Sequence, residues 1–350
     1  MTTCFWTVLI VVLQPLMANA QILHYQFNEG VGTTTSSSGS ITDPLTLSDA
    51  SGTPTTALWG APGSGPSASA ADRALDLTSA TGMGSGFSGP NAFRTSLSSV
   101  PALDQFTITG WFRPSSTDLG RAELLGIQNG SDVLSVVGLS GGPVGARNRL
   151  RLIIDDGNSF PEVDAFGDFE SQWSTLDVWA FFAISYNGQN ATDTVTFYSG
   201  SVAGPVSLSA LSSESAIQFP FGGASISIGA RESHANPFKG YIDDFRLNDR
   251  TLSPTEVEQL RLEAVPEPGS VALLLLGTLI LLRKWRRAEQ ERSSAAMLFR
   301  SVRGGNANVP FTLNPARQRR SLTSGHFTRY ENSIVHFALG RMLLPLWMSA

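Results

Sequence analysis

Asp243 is the residue whose setting most demands chemistry. It lies in the run Tyr241–Leu247, where strand alternation puts it on one face with Tyr241, Phe245 and Leu247, the side expected to pack. A carboxylate taken out of water there needs a cation or several hydrogen-bond donors. A second acidic set is Glu162-Val-Asp164-Ala-Phe-Gly-Asp168. Two carboxylates flanking the scissile bond are what glycoside hydrolysis requires. Glu162 and Asp164 alternate as a strand would place them, but the next acid, Asp168, comes late. Pro161 and Gly167 also argue against a regular strand, so an acidic surface loop is expected. Gly138-Leu-Ser140-Gly-Gly142 has the spelling of a hydrolase nucleophile elbow, which needs a strand before it and a helix after it. Gly141, Gly142 and Pro143 lead toward another strand instead, and a hairpin is expected. His24 and His234 lack metal-ligand spacing. Cys4 is the only cysteine and lies in the leader, so the mature chain has no disulfide and no thiolate site.

These side chains must be positioned by short alternating runs separated by Gly, Ser, Asn and Asp, from Leu23 to Leu262. Phe106, Ile108 and Phe112 share one face of a strand, and Trp111 takes the opposite face. Trp111 is therefore either a ring for stacking a sugar or ordinary core. Leu150, Leu152 and Ile154 alternate likewise. Trp179 to Tyr186 is apolar on both faces, as a central strand in a sandwich would be. Many short strands with turn signals between them indicate an all-β fold of two packed antiparallel sheets. Ser253-Pro254-Thr255-Glu256 spells a capping box with proline at the first helical position, opening a short helix to about Glu263. The Ser-, Thr-, Ala- and Gly-rich stretch from Gly30 to Gly89 reads as long loops with one strand at Ala74–Leu77.

The chain is framed by segments of another kind. Residues 1–20 read as a secretory leader, with an apolar run from Phe5 to Leu13 and Ala18-Asn19-Ala20 as a small-x-small cleavage site. Near the other end an apolar run, 269–282, stops at Arg283, Lys284, Arg286 and Arg287. Residues 21–264 carry 12 Lys/Arg against 25 Asp/Glu, a balance of −13, whereas residues 265–350 carry 12 against 4, a balance of +8. An acidic portion followed by a basic one fits export with the C-terminus cytoplasmic. The same acidic balance disfavours nucleic acid as a partner. Residues 288–350 are Arg-rich without steady periodicity, and are expected to be a basic, disordered tail or read-through.

Several landmarks, taken in order, resemble a LamG-type, concanavalin A-like jelly roll over 21–263. They are His24-Tyr25-Gln26-Phe27-Asn28-Glu29-Gly30, Phe106–Pro114, Trp179–Tyr186 with Val195–Tyr198, and Ile228-Gly229 followed by Phe238–Leu260. The resemblance implies a domain that binds polysaccharide or another surface protein, with glycoside hydrolysis as the alternative and a matrix role without specific ligand as a third. It also implies Ca²⁺ near Asp243, with Glu29 and Asp243 as ligands. Against that, Thr33–Ser40 offers no carboxylate where the family often reads Asp-Ser-Ser-Gly. Pro266, Glu267 and Pro268, ahead of the apolar run and the arginine cluster, resemble a PEP-CTERM sorting signal over 264–287. That implies an exosortase as partner, a membrane helix at 269–282 and delivery to the surface of a Gram-negative bacterium.

Overall fold

The computed structural model describes residues 21–97, 100–116, 120–140, 149–155, 161–169, 175–265, 277–287 and 289–290. The leader, Pro266, Glu267, Pro268 and nearly all of the C-terminal tail lie outside them. The chain divides into two compact units, 1–272 and 273–350.

The first unit is all-β and jelly-roll-like, with two large antiparallel sheets. One sheet runs in the order β1 (Gln21–Tyr25), β17 (Gly240–Asn248), β7 (Gln105–Pro114), β12 (Ala180–Asn187), β13 (Val195–Ser201) and β14 (Ser207–Ser212), with β4 (Leu75–Asp76) also on β17. The other runs β11 (Val163–Asp168), β10 (Arg149–Asp155), β9 (Asp132–Ser140), β8 (Gly120–Asn129), β16 (Ser225–Ile228), β5 (Asn91–Arg94), β3 (Leu45–Ser48) and β2 (Thr34–Thr35). A small pair, β6 (Ala102–Leu103) and β15 (Phe219–Pro220), completes the set.

Alternation explains how the sheets stack. Phe106, Ile108 and Phe112 of β7, Phe182, Ile184 and Tyr186 of β12, and Leu150, Leu152 and Ile154 of β10 enter one core between the sheets. Trp111, Phe181 and Ala183 point the other way, into a second apolar cluster with Trp179, Leu252 and Val257. β12 is therefore apolar on both faces because both are covered. Val257 comes from helix α1 (Pro254–Ala264), whose capping box forms as the sequence spells it: Glu256 N donates to Ser253 Oγ at 3.3 Å, and Ser253 N donates to Glu256 Oε2 at 2.8 Å. Arg261 Nη1 fastens the helix to β13 by donating to Ser201 O at 2.8 Å.

Two expectations fail for identifiable reasons. Asp243 does not share a face with Phe245 and Leu247. On β17, Asp243 pairs with Trp111 and Arg246 with Thr109, so Asp244 and Phe245 together oppose Gly110 in a β-bulge. Asp244 takes the left-handed conformation there, at φ 47°, which Asp tolerates better than most residues. The extra residue reverses the parity: Ile242, Phe245 and Leu247 enter the core, while Tyr241 packs against the outer cluster. Nor is Glu162–Asp168 a loop, since β11 pairs with β10 along Val163–Asp168. Pro161 stands ahead of the strand, and Gly167 lies beneath Phe197, whose ring would be 2.5 Å from any Cβ placed there.

In the second unit, 277–287 is helical and exposes Leu279, Ile280, Leu281, Leu282 and Trp285. Among the described residues no helix is long and apolar enough to cross a membrane. The first part of the expected membrane helix, 269–276, falls outside them.

Candidate functional site

The bulge in β17 builds a polar site on the outer face of the first sheet. β1 runs beside it in register, Tyr25 opposite Phe245 and His24 opposite Arg246. This register lets His24 Nε2 donate to Asp244 Oδ1 at 2.5 Å, while His24 Nδ1 meets Ser38 Oγ at 2.9 Å. Arg246 Nη2 donates to both oxygens of Asp244, at 3.0 and 2.9 Å, and Arg246 Nη1 to Glu263 Oε2 on α1 at 2.6 Å. Burial alone would raise the Asp244 carboxyl, but Arg246 and His24 outweigh it and hold the group below the usual carboxylate range. Asp244 is thus a fully committed structural anion.

Asp243 faces a different balance. Its Oδ1 accepts from Asp244 N at 2.7 Å, and the carboxyl of Asp72 lines the same cavity beside it. Burial, then the charges of Asp244 and Asp72, push its pKa well above the usual carboxylate range. Asp72 comes from the turn over 65–72, where Ser67 N and Ser67 Oγ donate to its Oδ2 at 2.8 and 2.6 Å. That turn is tied back to the end of β1 by Arg73 N, which donates to Asn28 Oδ1 at 2.7 Å. Asp243 and Asp72 open, with Gln26, Asn28, Ser67 and His24, onto a cavity of about 330 Å³. The arrangement offers amides, hydroxyls and a carboxyl pair to a ligand's polar groups.

The other residues singled out in the sequence are placed as follows. Glu29 accepts from Thr35 Oγ1 at 3.0 Å and from Ser36 N at 2.8 Å, and it is not among the residues lining the cavity. Among the described residues no three His, Cys, Asp or Glu side chains form a group that could hold a metal ion. Of the two carboxylates expected to share a calcium ion, Asp243 lines the cavity and Glu29 does not; Asp72 is the acid that lines it with Asp243. Trp111 is fully buried against Phe181, at 5.2 Å between ring centroids. It is core and offers a ligand no face. Asp164 is held by Arg151 through bonds of 2.5 and 2.7 Å, and the outward position after it on β11 is Phe166. The hydrolase-like acid series is thus neutralised at one position and apolar at the next. β9 and β10 pair antiparallel on either side of 141–148, as the hairpin reading of Ser140 requires. Pro266, Glu267 and Pro268 lie outside the described residues.

Sequence reasoning missed Asp72 and the His24–Asp244–Arg246–Glu263 series. The one available hint was two successive aspartates, Asp243 and Asp244, inside the closing strand.

Residues 85–258 match the family model Laminin_G_3, described as the concanavalin A-like lectin/glucanases superfamily. Among solved structures, the chain is similar to domain 4 of AbnA, an extracellular GH43 arabinanase from Geobacillus stearothermophilus determined with arabinotriose. The identity is 18%, over 69% of this chain and 97% of that one, with a TM-score of 0.43. A heptameric SAP-like pentraxin from Limulus polyphemus is 14% identical over 54% of this chain and 83% of its own, with a TM-score of 0.38. The binding domain of botulinum neurotoxin serotype G is 14% identical over 69% and 50%, with a TM-score of 0.43. No curated protein matches the chain.

Proposed function

We propose that this is an exported binding or adhesion protein of a Gram-negative cell surface, whose concanavalin A-like domain holds carbohydrate in the Asp72–Asp243 cavity. The observation that carries the reading is the pairing of two carboxyl groups, one of them buried, beneath an opening lined by Gln26, Asn28 and Ser67. Such convergent amide, hydroxyl and carboxyl groups suit a ligand bearing many hydroxyls. Catalysis is not part of the reading: Asp164 of the Glu162–Asp168 series is tied to Arg151, and the next outward position is Phe166. Export rests on the leader at 1–20. Surface sorting by an exosortase rests on Pro266, Glu267 and Pro268, the apolar run 269–282 and the arginine cluster behind it. Before processing, the chain would be anchored by that run with its C-terminus cytoplasmic.

The test is a glycan array probed with the purified full-length protein, followed by titration of the best binder and an assay for released reducing ends. Binding without product release, weakened about tenfold or more by Asp72→Ala, is the expected result. Uniform failure across the array, or steady release of reducing ends, overturns the proposal.

A further inference from the structure

A second site lies on the outer face of the eight-stranded sheet, away from the Asp72–Asp243 cavity. β8 carries a bulge between Glu123 and Leu125. Leu124 and Leu125 both enter the core as a result, and Glu123 and Gly126 face outward. Gly126 pairs with Ser135 of β9 on one side and Ser227 of β16 on the other, so two hydroxyls flank a residue without a side chain. The result is a groove of about 610 Å³ lined by Glu123, Gln128, Ser135, Ser225, Ser227 and Arg231, among others.

Glu123 is the unexplained group here. Its side chain is only 1% exposed, and its Oε2 has no hydrogen-bond partner. Arg231 Nε stands 3.7 Å away, an ion-pair distance too long for a hydrogen bond, on a side chain 45% exposed. Burial pushes the Glu123 carboxyl above the usual carboxylate range, against the hydrogen bond of Ser135 and the pull of Arg121 and Arg231. A buried acceptor without a donor is costly, and a ligand hydroxyl would satisfy it.

Charge narrows the ligand further. Arg231 and Arg121 oppose a metal cation or an amine beside Glu123, and Glu123 with Glu232 opposes an anion. What fits is neutral and rich in groups that both donate and accept. We infer that this groove is a second binding site, taking a neutral saccharide with one hydroxyl donating to Glu123 Oε2 and neighbouring hydroxyls bonding Arg231, Ser135 and Ser227. The inference stands on the groove's own geometry and does not need the cavity to bind sugar.

Gly126 gives the means of testing it. A Cβ there would stand 3.0 Å from Ser227 Oγ and 3.3 Å from Glu123 Oε1, so Gly126→Ala puts a methyl group into the groove. The probes are cello-, laminari-, manno- and xylohexaose, titrated by calorimetry against the full-length protein, Gly126→Ala, Arg231→Ala and Asp72→Ala. The expected result is that at least one hexaose binds, about tenfold or more weakly to Gly126→Ala and Arg231→Ala, with Asp72→Ala unaffected at this site. If Gly126→Ala does not fold, as judged by its melting curve, Arg231→Ala at the groove's rim decides by the same criterion. The inference is overturned if no hexaose binds, or if binding is unchanged in the groove variants. Loss confined to Asp72→Ala overturns it while leaving the cavity reading intact.

Discussion

Replacing Asp244 by Asn tests whether the buried ion series is what holds β1, β17 and α1 together around the cavity. Asparagine keeps the size of the side chain and tolerates the φ of 47°, so the change reports charge rather than backbone strain. In the wild-type protein the Asp244 and Arg246 side chains are 8% and 3% exposed. Removing one partner of such a pair leaves an uncompensated buried charge, at a cost of about 3–5 kcal/mol. Arg246 keeps Glu263, whose side chain is 59% exposed, and this places the loss at the low end, about 3 kcal/mol. At about 2–4 °C per kcal/mol for a domain of this size, the melting temperature should fall by roughly 6–12 °C. Thermal melts of the full-length protein at pH 7 measure it. Adding Arg246→Met should cost less than its own single effect, because the stranded guanidinium goes with it. A drop of about 2 °C or less in Asp244→Asn, under 1 kcal/mol, would refute the reasoning and make the series a surface ornament.

The same bulge marks the boundary of what the sequence could disclose. Period-two alternation assigned both faces of β7 and β12 correctly, and the capping box at Ser253 and Glu256 formed where it is spelled, because these features depend on residues near one another in the chain. The face of Asp243 depends on an inserted residue opposite Gly110, and nothing in a hydrophobicity pattern counts residues on the partner strand. Glu123 was hidden for a related reason: alternation puts it on the outer face, and the segment at Asn236 and Pro237 that pairs with it there is remote in the chain. Asp72 sits in a segment whose composition says loop, and a loop's composition does not say which strand it folds back upon. At β11 the proline and glycine rules misled, since an edge position and the ring of Phe197 accommodate both residues.

Two further outcomes are expected. Mass spectrometry of the protein recovered from its native cell surface should find a C-terminus near Glu267; a retained end beyond Arg287 would remove the exosortase from the account. Asp243→Asn should change how stability depends on pH, and the direction is fixed by the shift. The Asp243 carboxyl is raised in the folded protein, so its contribution is full below the unfolded value of about 3.9 and is lost as pH rises through the folded value. The amide oxygen of the variant can still accept from Asp244 N without holding a titrating proton. Wild-type melting temperature should therefore decline relative to Asp243→Asn as pH is raised from about 4 toward neutrality and beyond. A difference independent of pH, or one moving the other way, refutes the raised Asp243 carboxyl. The same titration with millimolar calcium and with excess EDTA separates a proton from a metal. A cation between Asp72 and Asp243 would stabilise the wild type most where both carboxyls are ionised, and would invert the trend that the raised Asp243 carboxyl produces.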